Sequence, residues 1–369
     1  MTNILIVFGT RPEAIKMAPL VHELKQNNIN VKVCVTAQHR EMLDQVLDFF
    51  EIIPDYDLDL MQANQTLNSL SANILFKMDE VLTQEKPDLV LVHGDTTTSS
   101  IVALAAFHLG IKVGHVEAGL RTYNKQAPFP EEINRQITSR IADIHFTPTS
   151  QATQNLLKEG ITQNSIVETG NTVIDALFWT TNKIAKHNFL HPEIEKLKST
   201  ISTDKKIVLV TGHRRENFGQ GFQNLCKALL EISEREDILI VYPVHLNPNV
   251  KEIVYELLSN KDNIKLIPPV SYPAFVWLMQ QSYLIVSDSG GIQEEAPSLG
   301  KPVLVTRTIS ERPEGVAAGF STLIGTDKNK IIKNIQAILD NFEGFGMQQN
   351  PYGNGDASKK IVEYLLNLD

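Results

Sequence analysis

Two doubly wound α/β halves are predicted for this chain by three observations. Its 369 residues exceed what one average domain holds. Short apolar, β-branched runs alternate along it with segments of helical period. These runs fall into two sets, separated by a stretch with little strand signal at about residues 171–205. The runs are continuous rather than alternating in polarity, which marks parallel strands buried on both faces. Alternation of β with α then calls for a sheet flanked by helices, built twice.

The first set of expected strands is Ile4–Phe8, Val31–Thr36, Leu89–His93, Lys112–Val116, Ile144–Thr147 and Ile166–Thr169. Between them lie helical segments at Ala14–Lys25, Leu70–Leu82 and Ser100–Leu109. The first of these places Ala14, Met17, Ala18, Val21 and Leu24 on one face. A helix-like Val173–Ile184 and a polar stretch, Lys186–Asp204, follow. The second set of strands is Ile207–Thr211, Ile238–Tyr242, Ile264–Ile267, Leu284–Ser287 and Pro302–Val305, with helices at Gln223–Ile232 and Lys330–Leu339. After the turn-rich Asn350-Pro-Tyr-Gly-Asn-Gly355, Asp356–Leu368 reads as a final helix. The expected domains are therefore 1–171 and 172–355, with the tail helix 356–369 packing back on the first.

Composition narrows the function classes. Apolar content of 42% and charged content of 21% are ordinary for a globular protein. No run of about 18 apolar residues is present, so no membrane span is expected. Met1-Thr2-Asn3-Ile4 enters a strand pattern without a basic leader, so no signal peptide is read. Two cysteines, Cys34 and Cys226, suit a reducing cytoplasm and exclude a disulfide framework. A net charge of −9 argues against a nucleic-acid partner.

Two segments look built to hold phosphate. Ile4–Phe8 runs into Gly9-Thr10-Arg11-Pro12-Glu13, and Leu284–Ser287 into Asp288-Ser289-Gly290-Gly291-Ile292-Gln293-Glu294-Glu295. Each is strand, tight turn, helix, an order that leaves backbone N–H groups at a helix start where an anion is favoured. Two such turns in two halves suggest a nucleotide-bearing ligand in a cleft between domains. Neither turn matches the Gly-x-Gly-x-x-Gly pattern, so a nicotinamide cofactor is not expected.

Ligands in open α/β sheets sit beyond the carboxyl ends of the strands. Here those ends carry Arg11, Gln38-His39-Arg40, His93-Gly94-Asp95, Glu117-Ala118-Gly119, His213-Arg214-Arg215-Glu216, His245 and Asp288-Ser289-Gly290-Gly291. If the strands before Asp95 and Glu117 are neighbours, a spacing of about 4.8 Å brings the two carboxylates within roughly 5–10 Å. Carboxylates that close have their proton affinities driven apart, one to give and one to take. Taken alone, Asp95 before Thr96-Thr97-Thr98 reads better as a helix N-cap. Glu117, between Val116 and Ala118-Gly119, is not placed as a solvated charge. Pro128-Phe129-Pro130-Glu131-Glu132 opens a helix, where acidic residues either serve the helix dipole or point into a site. His213-Arg214-Arg215 suits a phosphate or a developing leaving-group charge. Metal chemistry is not expected: Asp55-Tyr-Asp57-Leu-Asp59 lies in a turn-like segment, and no His-Glu-x-x-His or Cys cluster occurs.

Six segments together resemble the non-hydrolysing UDP-N-acetylglucosamine 2-epimerases of bacteria: Phe8-Gly-Thr-Arg-Pro-Glu-Ala-Ile-Lys16, Val92-His-Gly-Asp-Thr-Thr-Thr98, Gly114-His-Val-Glu-Ala-Gly-Leu-Arg121, Thr211-Gly-His-Arg-Arg-Glu216, Tyr242-Pro-Val-His-Leu-Asn-Pro248 and Asp288-Ser-Gly-Gly-Ile-Gln-Glu-Glu-Ala-Pro297. The likeness runs from Ile4 to the tail helix. It implies two Rossmann-like domains of the glycosyltransferase B type facing a cleft. It also implies reversible conversion of UDP-N-acetylglucosamine to UDP-N-acetylmannosamine, with no metal or other cofactor. That reaction would supply N-acetylmannosamine units for a cell-surface polysaccharide.

By motif, the resemblance makes Asp95, Glu117 and Glu131 acid/base carboxylates and His213 a leaving-group or phosphate partner. Arg11 and Lys16 would contact the phosphates, and Ser289, Gly290 and Gly291 would cradle them. Glu295 would bond the ribose, Phe275 would help place the uracil, and Arg312 lies in the matching Glu-Arg-Pro-Glu segment. An activating second substrate would meet Gln38, Glu131, Arg214 and His245. Asn64 before Gln65, and Gln126-Ala127 before Pro128, depart from relatives near that activator position. A homodimer is the family's usual state. The alternatives are a retaining nucleotide-sugar glycosyltransferase, a 2-epimerase for a 6-deoxy-hexosamine nucleotide, a hydrolysing epimerase and a non-catalytic sensor.

Overall fold

The computed structural model describes residues 3–36, 40–60, 65–310, 312–346 and 348–368. The chain forms two compact units. Unit 1 comprises Met1–Trp179 and Tyr352–Asp369; unit 2 comprises Thr180–Pro351.

Unit 1 carries, among the described residues, strands β1 (Asn3–Phe8), β2 (Asn30–Val35), β3 (Tyr56–Asp57), β4 (Leu89–His93), β5 (Lys112–Val116), β6 (Ile144–Thr147) and β7 (Ile166–Glu168). They pair in parallel in the order β3-β2-β1-β4-β5-β6-β7. Its helices are α1 (Arg11–Gln26), α2 (Arg40–Phe49), α3 (Leu67–Glu85), α4 (Thr97–His108), α5 (Glu131–Ile141), α6 (Ser150–Lys158) and α7 (Thr172–Ile184), the last running on past Trp179 into unit 2. The strands are Val, Ile and Leu runs buried on both faces, as helices on both sides require. Beneath β1 and β4, Leu5, Val7, Val90 and Val92 pack with Ile74, Met78 and Leu82 of α3 and Val102 and Ala106 of α4.

Unit 2 holds β8 (Lys206–Thr211), β9 (Ile238–Pro243), β10 (Ile264–Ile267), β11 (Ser282–Ser287), β12 (Val303–Val305) and β13 (Ser321–Leu323). They are again parallel, in the order β10-β9-β8-β11-β12-β13. Helices α8 (Pro192–Thr200), α9 (Gln220–Ile232), α10 (Pro248–Leu258), α11 (Tyr272–Gln281), α12 (Gly290–Glu295), α13 (Pro313–Ala317) and α14 (Lys328–Asn341) complete it. The last helix, α15 (Ala357–Leu366), belongs to unit 1 and packs on α1. Both halves are thus Rossmann-like and doubly wound.

Several helices that the sequence reading did not name, α2, α6, α10, α11 and α13, are present, and three further elements escaped it for physical reasons. β3 and β13 span only two and three residues at sheet edges and carry polar side chains, too short for an apolar run to register. The segment 186–204, read as polar, contains α8. Pro192 opens it, Glu193 and Glu195 fill its first turn, and only Ile194 and Leu197 are buried. Such a stripe is too narrow for helical periodicity to reveal.

Strand order reverses between β1 and β4 in unit 1, and between β8 and β11 in unit 2. These are the topological switch points, where loops diverge and leave a crevice. The phosphate-type turns, Gly9-Thr10-Arg11 and Asp288-Ser289-Gly290-Gly291, lie at one switch point each.

Candidate active site

At the unit 1 switch point a buried carboxylate ties both strand ends together. Thr10 caps α1, and Glu13 completes a capping box. Glu13 Oε2 accepts the N–H groups of Gly9 (3.0 Å) and Thr10 (2.8 Å), while Oε1 accepts the Thr96 hydroxyl at 2.7 Å. Burial raises the Glu13 pKa, and these hydrogen bonds oppose the rise. Arg11 stands at the first position of α1.

Strands β4 and β5 are paired neighbours, so Asp95 and Glu117 leave adjacent sheet positions. Thr96, not Asp95, caps α4, its side chain accepting from the Ser99 N–H. Asp95 instead meets Arg135 of α5, whose Nε and Nη2 donate to Oδ2 at 3.0 and 2.7 Å. Asn134 fixes the same turn by donating to the Asp95 carbonyl at 2.9 Å. Glu117 follows β5 at φ +61°, a conformation costly for a residue with a Cβ. Its Oε2 receives Lys16 Nζ and, at 2.7 Å, the side-chain amide of Asn171. Lys16, expected at phosphate, therefore rests on a carboxylate here. His93 Nε2 lies 3.9 Å from the same oxygen. Burial holds the His93 pKa down to about 4, so this ring is neutral. The chain after Glu117 has no slack: a Cβ on Gly119, at φ +88°, would stand 2.3 Å from the Ala152 carbonyl oxygen.

Glu131 and Glu132 separate cleanly. Glu132 is buried and structural: it accepts the N–H groups of Thr122 and Tyr123, each at 3.0 Å, and pairs with Arg135 at 3.2 Å. Glu131, at the start of α5, has Oε2 buried without a hydrogen-bond partner among the described residues. A carboxylate oxygen in that condition awaits a donor.

Unit 2 repeats the device at its own switch point. Asp288, fully buried after β11, accepts the backbone N–H groups of His213 and Arg214 through Oδ2, both at 2.9 Å. Its Oδ1 lies 3.6 Å from His213 Nδ1. The His213 ring, half exposed, stacks on His245 with centroids 5.4 Å apart. Burial and the neighbouring His213 lower the His245 pKa. Ser289 begins α12 without a side-chain cap, and Gly290 and Gly291 form its first turn, so those N–H groups are served by no cap. Glu295, at the helix end, is buried and accepts the Tyr272 hydroxyl at 2.7 Å. Phe275 lies one turn along α11 from Tyr272. Arg312 is buried and paired with Glu294.

In unit 1, Lys16, Asp95 and Glu117 thus share one strand-end cluster with Arg11 and Glu131 at the starts of its helices. In unit 2, His213, Arg214, His245, Ser289, Gly290, Gly291 and Glu295 gather around β8 and β11. Gln38 lies outside the described residues. Two supporting residues, Arg135 and Asn171, were not picked out from sequence, while Glu13 and Asp288 were read only as parts of phosphate-type turns. Arg135 stands four residues after Glu131 on α5, a spacing that puts both on one helix face and was open to reading. Neither thiol has a site role: Cys34 and Cys226 are buried, and burial pushes each pKa up to about 12. Among the described residues no helix is long and apolar enough to cross a membrane.

Comparison with known proteins places this arrangement. Residues 22–366 match the family described as UDP-N-acetylglucosamine 2-epimerase. The chain is 53% identical to the UDP-N-acetylglucosamine 2-epimerase of Escherichia coli K12, over 99% of this chain and 98% of that one. It is 55% identical to that of Campylobacter jejuni, over 99% and 97%. The crystal structure of the Neisseria meningitidis UDP-GlcNAc 2-epimerase bound to UDP-GlcNAc superposes with a TM-score of 0.92 at 50% identity, covering 99% of this chain and all of the other. This chain belongs to the UDP-N-acetylglucosamine 2-epimerase family.

Proposed function

We propose that the protein interconverts UDP-N-acetylglucosamine and UDP-N-acetylmannosamine without hydrolysis, by eliminating UDP to 2-acetamidoglucal and adding it back. Carboxylates Asp95 and Glu117 on adjacent parallel strands carry this reading. The substrate named for the Neisseria structure supports it.

The hydrogen on carbon 2 has no carbonyl beside it and is hardly acidic. As the bond from carbon 1 to the UDP oxygen breaks, its electron pair leaves with UDP, and carbon 1 gains oxocarbenium character. The carbon 2 proton then passes to a carboxylate, and its bonding pair closes the carbon 1–carbon 2 double bond. Protonation of the opposite face of carbon 2 and re-addition of UDP at carbon 1 give the epimer. Asp95 and Glu117 serve opposite faces in this reading, with Glu131 as the third acid/base carboxylate. His213 and Arg11 would stabilise the departing diphosphate. The uncapped turn at Ser289, Gly290 and Gly291 would hold its β-phosphate end, and Glu295 would hold the ribose. Phe275 would place the uracil. Arg312 would act through Glu294, keeping α12 in position. The product would feed assembly of a surface polysaccharide.

The test is proton NMR in heavy water with UDP-N-acetylglucosamine, no acceptor sugar and a metal chelator present. A UDP-N-acetylmannosamine anomeric signal with deuterium at carbon 2 is expected. Free N-acetylmannosamine and UDP would reassign the protein to hydrolysis, and no turnover would leave a transferase or a sensor. Asp95→Asn and Glu117→Gln are each expected to slow turnover by about a hundredfold or more. Residual carbon 2 exchange should survive from one epimer in the first variant and from the other epimer in the second.

A further inference from the structure

Asn171 makes three bonds that join Glu117 to both places where the chain crosses between units. Its side-chain N–H donates to Glu117 Oε2 at 2.7 Å. Its Oδ1 accepts the Val173 N–H at 3.0 Å and so caps α7, on which the chain leaves unit 1. Its backbone N–H donates to the carbonyl of Tyr352 at 2.8 Å, the residue where the chain re-enters unit 1. The two segments touch backbone to backbone. A Cβ on Gly170, at φ +90°, would lie 3.3 Å from the Tyr352 carbonyl oxygen. One on Gly353, at φ +115°, would lie 3.3 Å from the Gly170 Cα. Asn171 is 2% exposed, so water does not compete for these bonds.

We propose that Asn171 is a positioning residue for the reaction: it fixes the Glu117 carboxylate and ties that placement to the returning segment at Tyr352–Gly353. The inference rests on the reading of Glu117 as a carbon 2 acid/base group. Glu117 is held at a positive φ and persists there only because its surroundings over-determine it. Lys16 reaches its Oε2 from α1 on a flexible stem and supplies charge. Asn171 reaches it from a capped helix start and supplies direction. The neutral ring of His93 on β4 also faces this carboxylate, and Asp95, paired with Arg135 of α5, acts on that ring.

Three variants test this. Asn171→Ser keeps a capping oxygen and removes the N–H donor. Asn171→Asp keeps the cap and faces Glu117 with a carboxylate. Both are expected to lower kcat by about ten- to a hundredfold with KM changed by less than about threefold, since one misplaced group costs that order. The charged form of Glu117 loses a donor, so the acid limb of the kcat profile moves to higher pH, further for Asn171→Asp than for Asn171→Ser. Gly353→Ala, whose added Cβ would meet Gly170 and Asn171 and not Glu117, should move kcat and the acid limb in the same direction by a smaller factor. An Asn171→Ser protein with a lowered Tm but an unmoved acid limb would make the residue a helix cap only, and the proposal would fall. An unchanged kcat in Gly353→Ala would break the link to the returning segment. Glu117→Gln separates the two readings. If it abolishes carbon 2 exchange from one epimer while both Asn171 variants behave as wild type, only the role of Asn171 is wrong; if it retains full exchange from both epimers, the assignment of Glu117 fails first.

Discussion

At the residue scale, the strand-end rule singled out Asp95, Glu117 and His213 because ligands in this fold sit beyond the carboxyl ends of the strands. Each of the three follows a buried strand. What the rule missed were the partners. Arg135 sits inside a helix and looks like a surface base, yet its side chain is 8% exposed and clamps Asp95. Asn171 followed a strand that ended one residue earlier than expected, and it read as part of the inter-domain stretch. Histidines at the site edge also carry a stability cost that sequence does not show. Burial holds His93 at about 4 and His115 at about 3. The ordinary value is about 6.5, so between there and about pH 4 the unfolded chain binds two protons that the folded chain refuses. Stability therefore falls as pH drops through that window, by up to about 2.7 kcal/mol per pH unit from these two rings. Urea denaturation at about pH 7, 6 and 5 should show the slope. His115→Gln, which can still donate to the Gly94 carbonyl that His115 Nε2 contacts at 2.7 Å, should remove about half of it. A slope unchanged in that variant would mean the ring is not buried neutral.

At the element scale, each switch point is held by one carboxylate that accepts backbone N–H groups. Glu13 does this after β1 and Asp288 after β11. Both positions were legible as parts of phosphate-type turns, but their work was not, because a motif shows which residues are present and not which of them face inward. The turn around Asp288 gives a direct prediction. Asp288→Ala leaves the His213 and Arg214 N–H groups without their acceptor and releases the loop that carries both side chains. UDP affinity measured by titration calorimetry should fall by about tenfold or more, with a loss of about 1–3 kcal/mol of stability for each N–H left buried and unpaired. Asp288→Asn, which keeps an oxygen acceptor, should lose less of both. Equal UDP affinity in Asp288→Ala and wild type would show that the loop does not bear on the nucleotide. The short edge strands and α8 were invisible for the opposite reason: they bury so little that no periodic signal survives, and their identity comes from the neighbours they pair with.

At the scale of the whole molecule, two doubly wound halves, each with a phosphate-type turn, were readable from sequence because parallel strands must be continuous apolar runs and connections must be helical; their shared strand order was not. Assembly is less legible, since an apolar residue on a helix reads as core until the core is seen. Three helices of unit 1, α3, α4 and α5, lie side by side. They leave Phe76, Phe107 and Ile137 at 67%, 61% and 42% exposure. Large side chains this open on adjacent helices are what a two-fold interface uses, because the same patch then covers itself on a second copy. We propose that this face pairs with a second copy of the chain. Phe107→Asp would place a charge in each half of the interface and leave the α4 core residues, Val102, Ala103 and Ala106, untouched. Sedimentation equilibrium should then show a dimer for the wild type and a monomer for the variant at micromolar concentration, a weakening of about a hundredfold or more for two buried, unpaired charges. Far-UV circular dichroism and Tm should stay close to wild type, since residue 107 is outside the core. A variant that remains dimeric would move the interface to another face, and a wild type that sediments as a monomer would remove the dimer altogether.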